Sequence, residues 1–240
     1  MSASRTVWTG VCKNLANCTK AFHDIQNKSQ IPAVKCIEYQ DKYVYPCRTS
    51  SFRPNERVNY CRHNAEDMFI EGTVAAKGEF PHMVKLGYKN GENKIEWQCG
   101  GSLISEKFVL TAAHCTSNII YQAPHKYHDI ALLELDRAGW GNTQNSPDTL
   151  QRVLMTKSTP QECSSQYQVN GSLQQGFNET TQICYGLFLY AFGNTCQIAC
   201  MYTVIGVTSV SNTCDSIGLP GIYTRVSHYL PWIESIVWPN

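Results

Sequence analysis

The sequence predicts an all-β protein of antiparallel strands that ends in one helix and carries disulfide bonds. Short runs of β-branched and aromatic residues, such as T-V-I-G-V-T-S (203–209) and G-I-Y-T-R-V (221–226), are separated by Gly, Pro, Asn and Ser, the pattern of an antiparallel barrel. Twelve cysteines in 240 residues occur singly, without a C-x-x-C pair, which favours disulfides over zinc sites. At the C-terminus, a predicted docking helix places four apolar residues on one face: Trp232, Ile233, Ile236 and Val237.

The composition excludes several classes of function. The net charge is +1 and 16% of the residues are charged, so no basic stripe points to nucleic acid and no acidic tail is present. No run reaches the roughly 18 apolar residues that span a bilayer. His125 and His128 have no matching cysteine pair, and neither a metal nor another cofactor is expected.

A histidine and an aspartate are the strongest candidates for catalytic residues. His114 lies in T-A-A-H-C (111–115), and Asp129 opens D-I-A-L-L-E-L (129–135). A buried carboxylate that orients an imidazole fixes its tautomer and stabilises the imidazolium, which is the base half of nucleophilic hydrolysis. We therefore expect His114 to act as the base and Asp129 to orient it. A bridge between Cys99 and Cys115 would hold the histidine turn against the preceding strand.

Eight phrases in order along the chain carry a family resemblance. Besides the sequence around His114 and Asp129, they include G-T-V-A-A-K-G-E-F-P-H-M (72–83), A-G-W-G-N-T (138–143), N-T-C-Q (194–197) and G-L-P-G-I-Y-T-R-V (218–226). Together they resemble the trypsin-like (chymotrypsin-fold, S1) serine endopeptidases, and specifically the secreted clip-domain group of arthropods. The resemblance implies a two-barrel fold, with residues 69–240 as the serine protease domain.

The resemblance also implies roles for residues of the second barrel. Disulfides are implied between Cys163 and Cys184 and between Cys196 and Cys214. Ser209 matches a serine of the substrate-binding strand, which lines the pocket and does not attack. Asn194 stands where trypsin-like members carry the aspartate that binds a substrate Arg or Lys, and a neutral amide there lacks the complementary charge.

The chain departs from the family pattern at the nucleophile and elsewhere. No Gly-Asp-Ser-Gly-Gly occurs, the motif that supplies the attacking hydroxyl and the oxyanion hole, and no G-x-S-x-G elbow replaces it. His114 and Asp129 are 15 positions apart, against about 45 in chymotrypsin, so we expect an incomplete first barrel. Family members are zymogens that are cut after a basic residue to free an Ile-Val-Gly-Gly terminus. At the aligned residues Met68 to Gly72, Glu71 replaces a glycine and no Arg or Lys stands before the junction.

The N-terminal part is predicted to be separate from the protease domain. Residues 1–40 resemble part of a clip domain, and residues 41–68 have the composition of a linker. The family module has six cysteines, including a terminal Cys-Cys pair that this chain lacks, so a disordered segment with stray cysteines is the alternative. The pairing stays open for six cysteines: Cys12, Cys18, Cys36, Cys47, Cys61 and Cys200.

The sequence predicts secretion, although no apolar signal segment is visible at its start. The cysteines and four N-x-S/T sequons favour an extracellular location. We therefore expect the true N-terminus to be absent from this sequence. The sequons begin at Asn17, Asn27, Asn170 and Asn178.

Three functional hypotheses follow from these observations. The first is a non-catalytic serine protease homologue that binds other proteases or their substrates as a cofactor or decoy in an extracellular cascade, as the resemblance implies. The second is an active serine endopeptidase, which requires a nucleophile that the sequence does not show. The third is a splice or truncation product without a function of its own.

Overall fold

The computed structural model describes about half of the chain and divides it into two compact units. One unit comprises residues 1–66, 195–203 and 238–240, and the other comprises residues 67–194 and 204–237. The described residues are 35, 38–39, 41–42, 47–48, 56–57, 73–75, 80–116, 126–136, 150–152, 155–169, 171–186, 202–210 and 220–239. Asn194, Cys196, Cys214 and most of the predicted clip-like segment lie outside them.

In the first unit, a two-stranded antiparallel pair lies within the predicted linker. Strand β1 (Cys47–Arg48) pairs with β2 (Glu56–Arg57). Near the start of the described residues, Lys35 forms an exposed ion pair of 2.8 Å with Glu38. The indole N–H of Trp238 donates a hydrogen bond of 3.4 Å to the hydroxyl of Tyr39 in this unit.

The second unit contains a first four-stranded antiparallel sheet. Its strands β4 (Met83–Lys89), β5 (Ile95–Leu103), β6 (Phe108–Thr111) and β7 (Ala131–Glu134) are hydrogen-bonded in sequence order. A short pair formed by β3 (Thr73–Val74) and β8 (Gln151–Arg152) accompanies it. Val109 and Leu110 on β6 are buried and form the centre of this sheet's core.

A second four-stranded sheet is built from the C-terminal half of the chain. It consists of β9 (Thr156–Lys157), β10 (Gln182–Gly186), β11 (Gly206–Val210) and β12 (Gly221–Arg225), in the order β11-β12-β10-β9. All pairs are antiparallel. Its core is a cluster of Cys163, Tyr167, Leu173, Cys184 and Ile222.

Two helices accompany the second sheet. Helix α1 (Pro160–Gln166) begins at a capping box, in which the Thr159 hydroxyl accepts from the backbone N–H of Glu162 and the Glu162 carboxylate accepts from the backbone N–H of Thr159. Helix α2 (Leu230–Val237) is the predicted C-terminal helix. No helix in the described part of the chain is long and apolar enough to cross a membrane.

The buried face of α2 is narrower than the sequence predicts. Ile233 and Val237 are buried, but Trp232 and Ile236 are exposed. Residues four positions apart form one line along a helix, so the helix docks along the line of Ile233 and Val237, with Leu230 and Glu234 partly buried beside it. The prediction that all four residues share the docked face was therefore wrong for Trp232 and Ile236.

Candidate active site

A short turn after β6 positions His114. The chain leaves β6 in extended conformation at Ala112 and forms a 3-10 turn over Ala113–Cys115. Two links fasten this region to β5: the Cys99–Cys115 disulfide, and a hydrogen bond of 2.7 Å from the Thr111 hydroxyl to the carbonyl of Gly100. They hold the His114 backbone in place, while the imidazole is still 36% exposed.

Asp129 lies just before β7, on a segment with an unusual backbone. The preceding residue, His128, has a φ of +55°, in the left-handed region that residues with a Cβ rarely adopt. The backbone N–H of Ile130 donates to the carbonyl of His128 at 2.9 Å, and Nδ1 of His128 lies 2.7 Å from the hydroxyl of Tyr229. Strained conformations of this kind occur where the surrounding structure fixes a functional side chain.

The aspartate and the histidine form a two-point contact. Nδ1 of His114 lies 2.8 Å from Oδ2 of Asp129, and the backbone N–H of His114 donates to Oδ1 at 3.0 Å. Because an ionised carboxylate only accepts hydrogen bonds, Nδ1 must carry the proton. The lone pair of neutral His114 therefore lies on Nε2, the nitrogen that takes up a proton in a general base.

The carboxylate of Asp129 is stabilised as an anion. Its side chain is fully buried, and burial alone would raise its pKa. The hydrogen bonds from the His114 ring and backbone and from the Ser209 hydroxyl outweigh burial, so that the pKa of Asp129 lies below its ordinary value. The carboxylate consequently stays ionised at neutral pH.

The second sheet holds the segment that carries Asp129. The hydroxyl of Thr224 on β12 donates to the Asp129 carbonyl at 2.9 Å, and the Gln182 side chain on β10 donates to the carbonyl of Lys126 at 3.0 Å. Both side chains are about 1% exposed. These two supporting residues could not be predicted from the sequence, since a Thr or Gln within a strand carries no signal of such a contact.

Ser209 also belongs to this site, but it is hydrogen-bonded to the aspartate and not to the histidine. Its hydroxyl donates to Oδ2 of Asp129 at 2.7 Å, so the three residues singled out in the sequence lie together around one carboxylate. A nucleophilic serine would instead be hydrogen-bonded to Nε2 of the histidine. Among the residues that the structure describes, none is hydrogen-bonded to Nε2 of His114.

Disulfide bonding is confirmed in both sheets of the second unit. Besides Cys99–Cys115, a bridge joins Cys163 on α1 to Cys184 on β10. The sulfur atoms of the first bridge and a ring nitrogen of His114 lie within 4.8 Å of one another. Metal ligation requires thiolates, so this group does not offer a metal site while the bridge is formed.

Comparison with known proteins identifies the family. The profile of the Trypsin family matches residues 69–134 and 132–233, which is most of the chain. The chain therefore belongs to the trypsin family, and the predicted chymotrypsin-like, mainly β fold with a C-terminal helix is confirmed.

The relatives include insect proteases with a clip domain. The chain is similar to CLIP domain-containing serine protease C9 of Anopheles gambiae, with 27% identity over 304 aligned positions that cover 95% of this chain and 82% of the relative. It is also similar to Serine protease snk of Drosophila melanogaster, with 29% identity over 307 positions, 88% of this chain and 70% of the relative. The predicted resemblance to the clip-domain group is thus confirmed. A solved structure of HL collagenase is similar at 20% identity and a TM-score of 0.49, covering 70% of this chain and 98% of that chain.

Proposed function

We propose that this protein is a catalytically inactive serine protease homologue that binds other proteins of an extracellular proteolytic cascade as a cofactor or decoy. One observation carries the proposal: His114 and Asp129 are assembled as in a hydrolase, whereas the sequence lacks Gly-Asp-Ser-Gly-Gly. The base is therefore in place without the residue that it would activate.

Ser209 is a poor substitute for the missing nucleophile. Its hydroxyl proton points at Asp129, whose lowered pKa makes the carboxylate a weak proton acceptor. The loss of one triad member lowers the rate by several powers of ten, and the family's oxyanion hole comes from the same missing motif. Together these losses place peptide hydrolysis by this chain far below that of an active relative.

Two features of the comparisons support the loss of internal segments. The alignment with the Anopheles gambiae relative extends over 304 positions, more than the 240 residues of this chain, so the relative has segments without a counterpart here. The family profile also matches in two overlapping pieces that meet at residues 132–134. The altered junction at Glu71 fits a protease that is no longer activated, and the uncharged Asn194 fits one that no longer binds a substrate Arg or Lys.

The extracellular location and the protein partners are part of the proposal. Two disulfides and four sequons suit an oxidising, glycosylating compartment. The similarity to clip-domain proteases suggests that the partners are other proteases or their protein substrates. Residues 1–40 are proposed as the remnant of a clip domain, residues 41–68 as a linker and residues 69–240 as the protease-like domain.

One observation favours the alternative of an active endopeptidase, namely the intact contact between His114 and Asp129. A secreted, purified sample is incubated with chromogenic Arg and Lys peptide substrates, and His114→Ala is tested beside the wild type. We expect no turnover above the variant's background. Turnover that disappears in His114→Ala would establish the enzyme instead.

The cofactor role is tested separately from inactivity. The folded chain is added to the Anopheles gambiae relative together with a protein substrate of that protease, and the cleavage rate is followed. A change in rate that saturates with added chain supports the proposal, whereas an unchanged rate and no measurable binding contradict it. Failure of the chain to be secreted, with retention as reduced aggregate, would favour the splice or truncation product.

A further inference from the structure

The turn that precedes β10 carries one of the four N-x-S/T sequons. It reads N-E-T over 178–180, with Glu179 in the middle position, where only proline would prevent recognition. We propose that the side chain of Asn178 is an N-glycosylation site of this protein. The proposal rests on the extracellular location in the proposed function and adds the residue that is modified. The other three acceptor asparagines lie outside the part of the chain that the structure describes: Asn17, Asn27 and Asn170.

The backbone of Asn178 is held by hydrogen bonds at both of its polar groups. Its N–H donates to Oε1 of Gln182 at 2.9 Å. Its carbonyl accepts from the backbone N–H groups of Thr181 at 3.3 Å and of Gln182 at 2.8 Å. Gln182 is 1% exposed and begins β10, so the turn is anchored on a buried side chain of the second sheet. The acceptor residue therefore has one defined backbone conformation.

The side chain of Asn178 also has a defined orientation. The backbone N–H of Thr180 donates to Oδ1 of Asn178 at 3.0 Å, which forms an Asx turn. Because only the oxygen of the amide group accepts hydrogen bonds, this contact fixes which end of the group faces the turn. The amide nitrogen lies on the other side of the same planar group and points away from the Thr180 N–H. This nitrogen, Nδ2, is the atom to which an N-linked glycan is attached.

The conformation of the turn does not explain the two groups that define the sequon. None of the hydrogen bonds named above uses Nδ2 of Asn178 or the hydroxyl of Thr180. An aspartate at position 178 would accept from the Thr180 N–H equally well, since Asp and Asn form the same kind of turn. N-glycosylation, in contrast, requires both the amide at 178 and the hydroxyl at 180.

The sequon lies at the surface of the second unit. Glu179 and Thr180 are exposed, and Asn178 is partly exposed. The chain becomes buried only after the sequon, at Thr181 and Gln182. A glycan is bulky and hydrated, so it is accommodated only at a surface position. The turn meets this condition, because a glycan on Asn178 extends into solvent from the end of β10.

The modification is a group transfer from a lipid-linked diphospho-oligosaccharide. Nδ2 of Asn178 forms a bond to the anomeric carbon of the first N-acetylglucosamine and loses one proton. The bond between that carbon and the diphosphate oxygen breaks, and the diphosphate leaves with the electron pair. Oδ1 takes no part in the transfer, so it still accepts the hydrogen bond from the Thr180 N–H in the modified protein. The folded turn is therefore compatible with the glycan.

The test maps the modified asparagine on the full chain, expressed with a secretion signal in insect cells. The protein is reduced, alkylated and treated in heavy-oxygen water with a peptide N-glycosidase that also releases core-fucosylated glycans. This enzyme converts each glycosylated Asn into an Asp that carries the heavy isotope. Chymotrypsin then cleaves after Phe177, which separates Asn178 from Asn170. Mass spectrometry of the peptides should find the isotope at position 178.

Single substitutions separate the sequon from the turn. Asn178→Asp keeps an oxygen for the Thr180 N–H but removes the acceptor nitrogen, so this variant should lose one glycan relative to the wild type. Thr180→Ala should lose the same glycan although the Asn178 amide is retained, whereas Thr180→Ser keeps the hydroxyl and should keep the glycan. The matched control Glu179→Gln changes an exposed residue inside the sequon and should leave the glycan unchanged.

Secretion and folding are measured beside the modification, and the cell-retained fraction is mapped in the same way. A secreted chain with the Cys99–Cys115 bridge formed but without the isotope at Asn178 would overturn this proposal and leave the proposed function standing. A labelled Asn178 in a retained aggregate would support the site and contradict the proposed function, whereas an unlabelled one would contradict both. Retention of the glycan in Asn178→Asp, or its loss in Glu179→Gln, would also overturn the assignment.

Discussion

Replacement of Asp129 by Asn tests the physical account of the candidate active site. The carboxylate accepts three hydrogen bonds, from the ring and backbone of His114 and from Ser209, and it is fully buried. In Asp129→Asn, the amide retains one accepting oxygen and gains an NH2 group, which is a donor. If this NH2 group takes the place of Oδ2, it faces the imidazole N–H, and this hydrogen bond is lost unless the imidazole changes its tautomer. The Ser209 hydroxyl can rotate and accept from the NH2 group, but its bond to a charged acceptor is lost.

The expected loss of stability follows from these contacts. The pKa of Asp129 lies below its ordinary value, so the folded protein stabilises the carboxylate more than water does, despite its burial. A hydrogen bond to a charged group contributes about 1.5 to 3 kcal/mol. We therefore expect Asp129→Asn to lower the free energy of unfolding by about 3 kcal/mol. This value already allows for the smaller cost of burying a neutral amide in place of a carboxylate.

Urea unfolding measures this loss, and nitrogen NMR of the His114 ring reports its tautomer. The matched control is Asp136→Asn, which removes an exposed carboxylate at the end of β7 and should change stability by less than about 0.5 kcal/mol. In the wild type, the proton of neutral His114 should be on Nδ1, and in Asp129→Asn it should move to Nε2. A loss below about 1 kcal/mol with an unchanged tautomer would refute the reasoning.

Three further predictions concern other parts of the second unit. Thr159→Ala removes the capping box of α1 and should cost about 1 kcal/mol in urea unfolding. Gly101→Ala places a Cβ 2.6 Å from Val109 Cγ1 and should cost roughly 1 to 3 kcal/mol, whereas Gly91→Ala, which has no atom within 4 Å, should be within about 0.5 kcal/mol of the wild type. Burial lowers the pKa of His82, so the unfolded chain binds more protons than the folded chain as the pH falls through about 6.5. The stability should therefore decrease in this range. In thermal unfolding at pH 5 to 7.5, His82→Gln should flatten this pH dependence.

The elements that could be predicted from the sequence are those whose local sequence carries a strong signal. The motif around His114 and the aspartate before β7 indicated a contact that the structure contains at 2.8 Å. Strand-forming runs at 203–209 and 221–226 correspond to β11 and β12. These predictions worked because a short sequence motif and an alternating pattern carry the information locally.

Features that depend on distant parts of the chain were not predictable in this way. The support of Asp129 by Thr224 joins residues 95 positions apart, and nothing in the local sequence announces it. The left-handed backbone of His128 was not predicted either, since histidine tolerates this conformation better than most residues but adopts it only in a small minority of cases. The capping box of α1 did carry a signal, because Thr159 and Glu162 fit the T-x-x-E pattern, with Pro160 between them at the first helical position.

The central claim is that the assembled base has no nucleophile to activate, and labelling by a fluorophosphonate probe tests it most directly. The chain is expressed with a secretion signal, and its fold and the Cys99–Cys115 bridge are verified before it is treated with the probe, beside an active trypsin as a positive control. We expect labelling of trypsin and none of this protein. Labelling of the folded chain that is abolished by heat and by His114→Ala would show an activated serine and contradict the proposed function.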